Sequence, residues 1–173
     1  FAGDSGDGMQ ITGSRFTMET ALAGSDLATF PDFPAEIRAP VGTTFGVSAF
    51  QIHFGSAAVA TAGDELDVLV AMNPAALKTN LGDLESHGIL VVNEDAFDKK
   101  SLEQAGYQQD PLEDGSLDRF RLFKVELTTL TRRALADSGL DAKSQERCKN
   151  FFALGMAKKV LLANPCGKIA DVA

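Results

Sequence analysis

Short apolar runs bounded by glycine, proline or asparagine recur along the chain. Residues 66–72 (LDVLVAM) and 88–92 (GILVV) are nearly continuous and rich in β-branched side chains. Such runs are typical of strands buried on both faces of a parallel sheet. Pro74 opens a helical pattern over residues 75–84 between them. We therefore predict a strand–helix–strand unit whose two strands are parallel.

The rest of the chain shows the same alternation of strand-like and helix-like patterns. We predict further strands at the start of the chain and over residues 27–30, 47–54 and 119–127, and helices over residues 9–23, 98–104, 128–138 and 147–163. The strand at 27–30 is expected to be buried. In the last helix the face formed by Cys148, Phe152, Met156 and Val160 is expected to be buried. Residues 31–42 contain three prolines and are predicted to be a loop.

These elements predict an α/β fold in a single domain over residues 1–173. We expect three layers, a mostly parallel sheet with helices on both faces, similar to a Rossmann arrangement. The chain has 173 residues, of which 45% are hydrophobic and 23% charged, which is enough for one core. Nothing in the sequence indicates a repeat or an internal linker.

Charge and cysteine content narrow the class of function. The formal net charge is -8, so a phosphate backbone would be repelled and nucleic acid is not expected as a partner. No apolar run approaches the roughly 18 residues of a membrane span. Two cysteines make no disulfide framework and favour a reducing cytoplasm. They also cannot supply the four thiolates of an iron–sulfur cluster.

The strongest local motif is a glycine-rich segment between the first strand and the first helix. It reads Gly3, Asp4, Ser5, Gly6, Asp7, Gly8, with the helix following at once. Backbone N–H groups and a helix N-terminus in this setting favour an anion such as a phosphate. The segment lacks the Gly-Lys-Ser/Thr of a P-loop, and its glycine spacing differs from the dinucleotide motif. It is equally compatible with a tight turn in which an aspartate caps the helix.

Other candidates have weaker support. Arg38, close to Glu36 in the proline-rich loop, could pair with a carboxylate or phosphate, or only form a surface ion pair. Asn73 and Asn93 follow strand ends, where ligands bind in open α/β sheets. The only two histidines, His53 and His87, have no partners at suggestive spacing and are expected to be structural, as is Cys148.

Several blocks of the sequence together resemble one known family. These are FAGDSGDGMQITGSRF, DLATFPDFPAEIRAPVGTTFGVSAFQIHFG, ELDVLVAMNPAALKTNL, GILVVNEDAFDKK, PLEDGSLDRFRLFKVELT and RCKNFFALG. They are similar to the gamma domain of 2-oxoacid:ferredoxin oxidoreductases, in the form fused at the N-terminus of the alpha subunit of the 2-oxoglutarate-using type. The resemblance runs from the first residue to about residue 162.

The resemblance implies an activity and its cofactors. Enzymes of this family convert a 2-oxoacid and coenzyme A into an acyl-CoA and carbon dioxide and reduce ferredoxin, using thiamine diphosphate and iron–sulfur clusters. Those two cofactors would lie in the remaining alpha-subunit domains and the beta subunit, which would be the partners, with ferredoxin a partner only indirectly. The front of the first strand and the thiamine-binding region would be missing from this chain, and the chain alone would be inactive.

The resemblance also implies a site. Gly3, Asp4, Ser5, Gly6, Asp7 and Gly8 match the glycine loop that lies near coenzyme A, and Arg38 matches a segment facing the coenzyme or partner domains. No catalytic residue and no metal ligand is expected in this chain. Two alternatives stay open, a non-catalytic scaffold whose glycine loop only turns the chain, and a free-standing nucleotide-binding module. The glycine order counts against the second.

Overall fold

The computed structural model describes residues 1–4, 8–32, 46–55, 58–61 and 63–163. Residues 160–163 are described by their backbone alone. Six strands form one sheet in the order β2-β3-β1-β4-β5-β6. Their bounds are β1 Ala2–Asp4, β2 Asp26–Asp32, β3 Val47–Gly55, β4 Leu66–Ala71, β5 Leu84–Asn93 and β6 Arg121–Val125. Strands β1, β4, β5 and β6 run parallel, and β2 and β3 pair antiparallel on the other side of β1. The predicted α/β class and the parallel pairing of β4 with β5 are confirmed.

Helices cover both faces of the sheet. They are α1 Met9–Leu22, α2 Pro74–Asn80, α3 Lys99–Gln104, α4 Leu127–Ala134, α5 Ala142–Arg147 and α6 Lys149–Ala163. On one face Ala76 and Leu77 of α2 pack with Leu69, Leu90 and Val92 of the sheet. Burying one such aliphatic side chain stabilises the fold by about 2 kcal/mol.

The opposite face of the sheet carries the second core. There Met9 of α1, Leu127 of α4 and Ala153 of α6 pack against Val70 and Val91. Alternate residues of β4 and β5 therefore enter two different cores, because successive side chains of a strand point to opposite faces. This explains why the two runs are apolar almost throughout rather than alternating.

The strand predicted at residues 27–30 is longer and less buried than expected. It is β2, which includes Pro31 and lies at the edge of the sheet with its residues half-buried or exposed. Proline is tolerated there because an edge strand has a side on which no backbone N–H is needed. The expectation of a buried strand was therefore wrong, and Pro31 and Asp32, which were predicted to lie in the loop, belong to the strand. The rest of that loop lies outside the described residues.

The expected buried face of the last helix is confirmed only in part: Phe152 and Met156 are half-buried against the second core, and the side chain of Val160 lies outside the described structure. Cys148 is the C-cap of α5 and therefore precedes α6. Its side chain is only half-buried. Asn150, Ala153, Leu154 and Ala157 form the buried face of α6. The helix is apolar on several sides, so hydrophobic spacing does not define which side meets the sheet.

Both histidines lie in strands of the sheet. His53 lies on β3, where a ring nitrogen bonds the carbonyl of Thr61. His87 lies within β5 rather than before it, at a φ of 69°, and its N–H donates to the carbonyl of Arg119. In β6 both faces of the strand are buried, because Leu122 packs on the α2 face and Phe123 on the α1 face.

Candidate functional site: a polar cleft at the carboxyl edge of the sheet

A polar cleft of about 420 Å³ lies where the parallel strands end. Asp4 ends β1, Asn73 follows β4, Asn93 ends β5, and α4 begins two residues after β6. The carboxyl ends of parallel strands meet at one edge of a sheet, which is where α/β folds bind ligands. The cleft is lined by Asp4, Met72, Asn73, Asn93, Asp95, Ala96, Asp98, Ser101, Thr128, Thr129, Arg132, Glu146 and Lys149.

Asn73 joins the end of β1 to the start of α2. Its side-chain nitrogen donates to the carboxylate of Asp4 over 2.8 Å, and its side-chain oxygen accepts from the N–H of Ala76 over 2.8 Å. Asn73 is thus the N-cap of α2, followed by Pro74 at the first helical position. Asn73 lies at the carboxyl edge of the sheet, as predicted. Its side chain bonds to Asp4 and Ala76 of the protein itself.

Asn93 is the most buried polar residue of the cleft. Its side chain is 1% exposed. It donates to the carbonyl of Met72 over 3.3 Å and accepts from the N–H of Leu127 over 3.1 Å. A buried amide must be hydrogen-bonded to offset its desolvation. Asn93 therefore ties the ends of β4 and β5 to the first turn of α4.

Gly8 ends the glycine-rich segment as the N-cap of α1. Its φ of 73° lies in the left-handed region that favours glycine. A Cβ at Gly8 would also lie 2.5 Å from the side-chain nitrogen of Asn150 on α6. Gly8, and not an aspartate, is therefore the N-cap of α1, and no side-chain hydrogen bond caps this helix in the described part of the chain. The first turns of α1 and α6 consequently lie side by side near the same edge.

Asn150 was not among the residues expected from the sequence. It is 4% exposed and its side-chain oxygen accepts from the N–H of Phe151. An asparagine at the start of a helix is a weak signal for a cap, and only the fold places it against Gly8.

The acidic residues of the cleft are engaged by hydrogen-bond donors. Asp95 accepts from both the N–H and the hydroxyl of Thr129, over 2.8 and 2.9 Å. Asp98 caps α3, and the hydrogen bond from the N–H of Ser101 holds the pKa of Asp98 below its usual range. Glu146 lies 3.6 Å from the guanidinium of Arg132. These contacts partly compensate the negative charge beside the two cations of the cleft, Arg132 and Lys149.

The predicted site residues divide into two groups. Gly3 lies in β1 opposite Ser48, Asp4 lines the cleft, and Gly8 begins α1. Ser5, Gly6, Asp7, Glu36 and Arg38 lie outside the described residues. Their predicted contacts with a coenzyme remain predictions.

The described residues that line the cleft include neither histidine nor cysteine. Among the residues that the structure describes, no group of three or more His, Cys, Asp or Glu is suited to hold a metal ion. Within the same residues, no helix has the length and apolar character needed to cross a bilayer.

Fold and cleft together define an α/β domain with its polar site at the carboxyl edge of a mostly parallel sheet. A family model described as pyruvate ferredoxin/flavodoxin oxidoreductase matches residues 1–167, and the chain belongs to this family. The chain is 56% identical over 156 residues to the 2-oxoglutarate oxidoreductase subunit KorA of Mycobacterium tuberculosis. The match covers 90% of this chain and 24% of that relative, so the chain spans about a quarter of its length.

Solved structures with the same fold include both long chains and separate subunits. The 2-oxoglutarate:ferredoxin oxidoreductase from Magnetococcus marinus, with 2-oxoglutarate, coenzyme A and succinyl-CoA bound, matches with a TM-score of 0.63 at 19% identity, over 99% of this chain and 28% of that chain. A keto/oxoacid ferredoxin oxidoreductase gamma subunit from Geobacter sulfurreducens matches with a TM-score of 0.57 at 17% identity, over 99% of this chain and 89% of that chain. The pyruvate oxidoreductase subunit PORC from Thermotoga maritima matches with a TM-score of 0.55 at 21% identity, over 97% and 78%.

Proposed function

We propose that this chain is the gamma-type domain of a 2-oxoglutarate:ferredoxin oxidoreductase. The assembled enzyme would convert a 2-oxoacid and coenzyme A into an acyl-CoA and carbon dioxide, with the electrons passing to ferredoxin. The identity to the Mycobacterium tuberculosis subunit favours 2-oxoglutarate as the 2-oxoacid. The domain itself would bind and orient, because the carboxylates of the described cleft are held by hydrogen bonds and an ion pair within the chain.

We infer that the cleft contributes contacts to the phosphates of coenzyme A. The observation that carries this inference is the meeting of two helix N-termini, those of α1 and α6, at Gly8 and Asn150. The partial positive charge of a helix N-terminus favours an anion. Lys149, at the start of α6, adds a full positive charge to the same cleft. The proposal extends to the glycine segment from Gly3 to Gly8 and to Arg38.

The other cofactors of the enzyme are assigned to its partners. The chain has two cysteines, too few for the four thiolates of an iron–sulfur cluster. Thiamine diphosphate supplies carbanion chemistry and the clusters accept electrons where they are bound, in the rest of the alpha subunit and the beta subunit. These subunits are the proposed partners, with ferredoxin a partner of the whole enzyme. The proposed location is the cytoplasm.

One observation favours the alternative of a scaffold whose glycine segment only turns the chain. The positive φ of Gly8 and its closeness to Asn150 account for glycine at this position without any ligand. In that case α1 and α6 pack closely because Gly8 has no Cβ. The polar side chains of the cleft would then serve only to tie the strand ends together. Binding of coenzyme A and a scaffold role predict different effects on KM when the positive charge of Lys149 is removed.

The test compares Lys149→Gln with Lys159→Gln in the assembled enzyme. Both residues lie on α6, but Lys149 lines the cleft and Lys159 is exposed about three turns further on. Loss of a charge-assisted hydrogen bond should cost about 1.5 kcal/mol and raise KM for coenzyme A about tenfold. Lys159→Gln should leave KM unchanged. Equal KM values for both variants would favour the scaffold.

Thermal unfolding of the chain provides a second measurement. Coenzyme A at about 100 times its Kd should stabilise the chain by about 2.7 kcal/mol, and thiamine diphosphate at the same concentration should not. Stabilisation by coenzyme A that is lost in Lys149→Gln would place the contact in the described cleft. Stabilisation that survives this change would move it to the glycine segment or Arg38.

A further inference from the structure

The first turn of α1 has no side-chain acceptor for its backbone N–H groups in the described part of the chain. The first N–H groups of any α-helix have no partner within the helix. In α2, α3 and α5 an oxygen of an asparagine or aspartate side chain accepts one of them. In α1 the N-cap is Gly8, which has no side chain to offer. The first bond within α1 runs from the N–H of Thr12 to the carbonyl of Gly8, so the N–H groups of Met9 and Gln10 precede the helical ladder.

The side chain of Asn150 directs a further donor at the same place. It is 4% exposed, and its oxygen accepts from the N–H of Phe151 over 2.9 Å. Its nitrogen, Nδ2, lies 2.5 Å from the point where a Cβ of Gly8 would stand. A capping side chain would begin at that point, and its oxygen would accept from the first turn of the helix. The fold therefore places a donor where other helices have an acceptor.

Nδ2 of Asn150 donates to no acceptor among the residues that the structure describes. Within these residues every fully buried side-chain nitrogen or oxygen has a partner, so Nδ2 must keep a small opening to solvent. A nearly buried amide nitrogen without a partner carries a cost that an incoming acceptor removes. We call Nδ2 of Asn150 and the N–H groups of Met9 and Gln10 the Asn150 donor set.

The charges around the Asn150 donor set favour an acceptor of low charge. The three donors carry only the partial positive charge of amides at a helix N-terminus. The cleft that begins at the neighbouring Lys149 has a described lining with four carboxylates and two cations, namely Asp4, Asp95, Asp98, Glu146, Arg132 and Lys149. A phosphate monoester carries nearly two negative charges, whereas each phosphorus of a diphosphate bridge carries one. The surplus of carboxylates therefore repels the monoester more strongly.

We propose that the Asn150 donor set binds an oxygen of the diphosphate bridge of coenzyme A, and not its 3′-phosphate. This inference rests on the proposed function in coenzyme A binding and adds which donors and which phosphate are involved. Glycine at position 8 then keeps the space in front of Nδ2 open, because a Cβ there would stand 2.5 Å from this nitrogen. Lys149 precedes Asn150 and lines the cleft, so a positive charge adjoins the donor set.

The test changes the donor in the assembled enzyme. Asn150→Leu removes Nδ2 without adding charge and should raise KM for coenzyme A about tenfold, since a hydrogen bond to a charged group is lost. Asn150→Asp keeps an oxygen for the N–H of Phe151 and replaces Nδ2 by a carboxylate oxygen. It should raise KM further, because the carboxylate repels the phosphate. Gln108→Glu makes the same amide-to-carboxylate exchange at an exposed residue that does not line the cleft, and should leave KM unchanged.

Dephospho-coenzyme A, which lacks only the 3′-phosphate, identifies the phosphate that is bound. Both Asn150 variants should raise KM for this analogue, or its inhibition constant if it is not turned over, by the same factor as for coenzyme A. An effect that is seen with coenzyme A and disappears with the analogue would assign the donors to the 3′-phosphate and overturn the proposal.

Thermal unfolding separates binding from a structural role. A carboxylate near the N-termini of α1 and α6 is favourable for both helices, so Asn150→Asp should not lower the midpoint. A raised midpoint with an unchanged KM would show that this side chain only caps α1, and would overturn the proposal. If Lys149→Gln raises KM and neither Asn150 variant does, this inference fails and the proposed function stands. If none of the three variants raises KM, both fail.

Discussion

The side-chain nitrogen of Asn73 donates a 2.8 Å hydrogen bond to the carboxylate of Asp4, across two parallel strand ends that are 69 residues apart in sequence. The same side chain caps α2 through the N–H of Ala76. Asn73 thus fixes both the position of the Asp4 carboxylate and the start of α2. The cleft is in this respect pre-formed by the protein.

Changing Asn73 separates these two roles. Asn73→Ala removes the cap and the bond to Asp4, and should destabilise the chain by about 1–2 kcal/mol. Asn73→Asp keeps an acceptor for the cap but places a second carboxylate against Asp4. The like charge should raise the pKa of this pair, so the Asn73→Asp variant should become less unstable as pH falls. Urea unfolding at neutral and mildly acidic pH measures both effects. A variant Asn73→Asp that matches the wild type at every pH would contradict this assignment.

Gly8→Ala should show two separate costs. The φ of 73° is strained for alanine, and the new Cβ would lie 2.5 Å from the side-chain nitrogen of Asn150. Gly139→Ala is the matched control, because Gly139 has a φ of 72° and nothing within 4 Å of a Cβ. The control should cost about 1 kcal/mol and Gly8→Ala more. The difference should shrink when Asn150→Ala is added, as a double-mutant cycle would show. If both glycine variants lose equal stability, the closeness to Asn150 carries no energetic weight.

Gly13 and Gly155 should respond in opposite directions to alanine. Both lie inside helices, where alanine is favoured by about 0.5–1 kcal/mol. A Cβ at Gly155 meets nothing within 4 Å, so Gly155→Ala should stabilise the chain. At Gly13 a Cβ would lie 2.1 Å from the ring of Phe50, so Gly13→Ala should force α1 off β3 and destabilise by about 1–3 kcal/mol. Thermal unfolding of the two variants gives the signs directly, and a stable Gly13→Ala would refute the close approach of α1 to β3.

The N-caps of α3 and α5 should make stability depend on pH. Hydrogen bonds from the N–H groups of Ser101 and Ser144 lower the pKa values of Asp98 and Asp141. A lowered pKa in the folded chain means that this stabilisation is complete above the unfolded value of about 3.9 and is lost as pH falls through the folded values. Asp98→Asn keeps a capping oxygen and removes the titration. The variant should therefore lose less stability than the wild type between neutral pH and pH about 3. Parallel stability curves for the two proteins would contradict the role of Asp98.

Part of the fold and of the site follows from local sequence. The apolar runs around Val70 and Val91 are long enough and β-branched enough to require buried strands. Pro74 indicates the start of a helix, because proline is favoured at the first helical position. Gly8 permits the left-handed cap that begins α1 whatever the neighbouring elements are, because the freedom belongs to glycine itself. The position of Asn73 and Asn93 at one edge follows once β4 and β5 are parallel.

Other features depend on contacts between residues far apart in the sequence. The place of β2 at the sheet edge is set by its pairing with β3, and the buried face of α6 by which side of an almost uniformly apolar helix meets the sheet. Neither Asn150 nor Phe50 carries a local signal for its contact with Gly8 or Gly13. The sequence by itself determined the class of fold, the start of α2 at Pro74 and the edge at which the polar site lies, because these follow from backbone preferences and hydrophobic period. Only the tertiary structure decided the strand order and the meeting of α1 with α6, because these depend on long-range packing that no local pattern encodes.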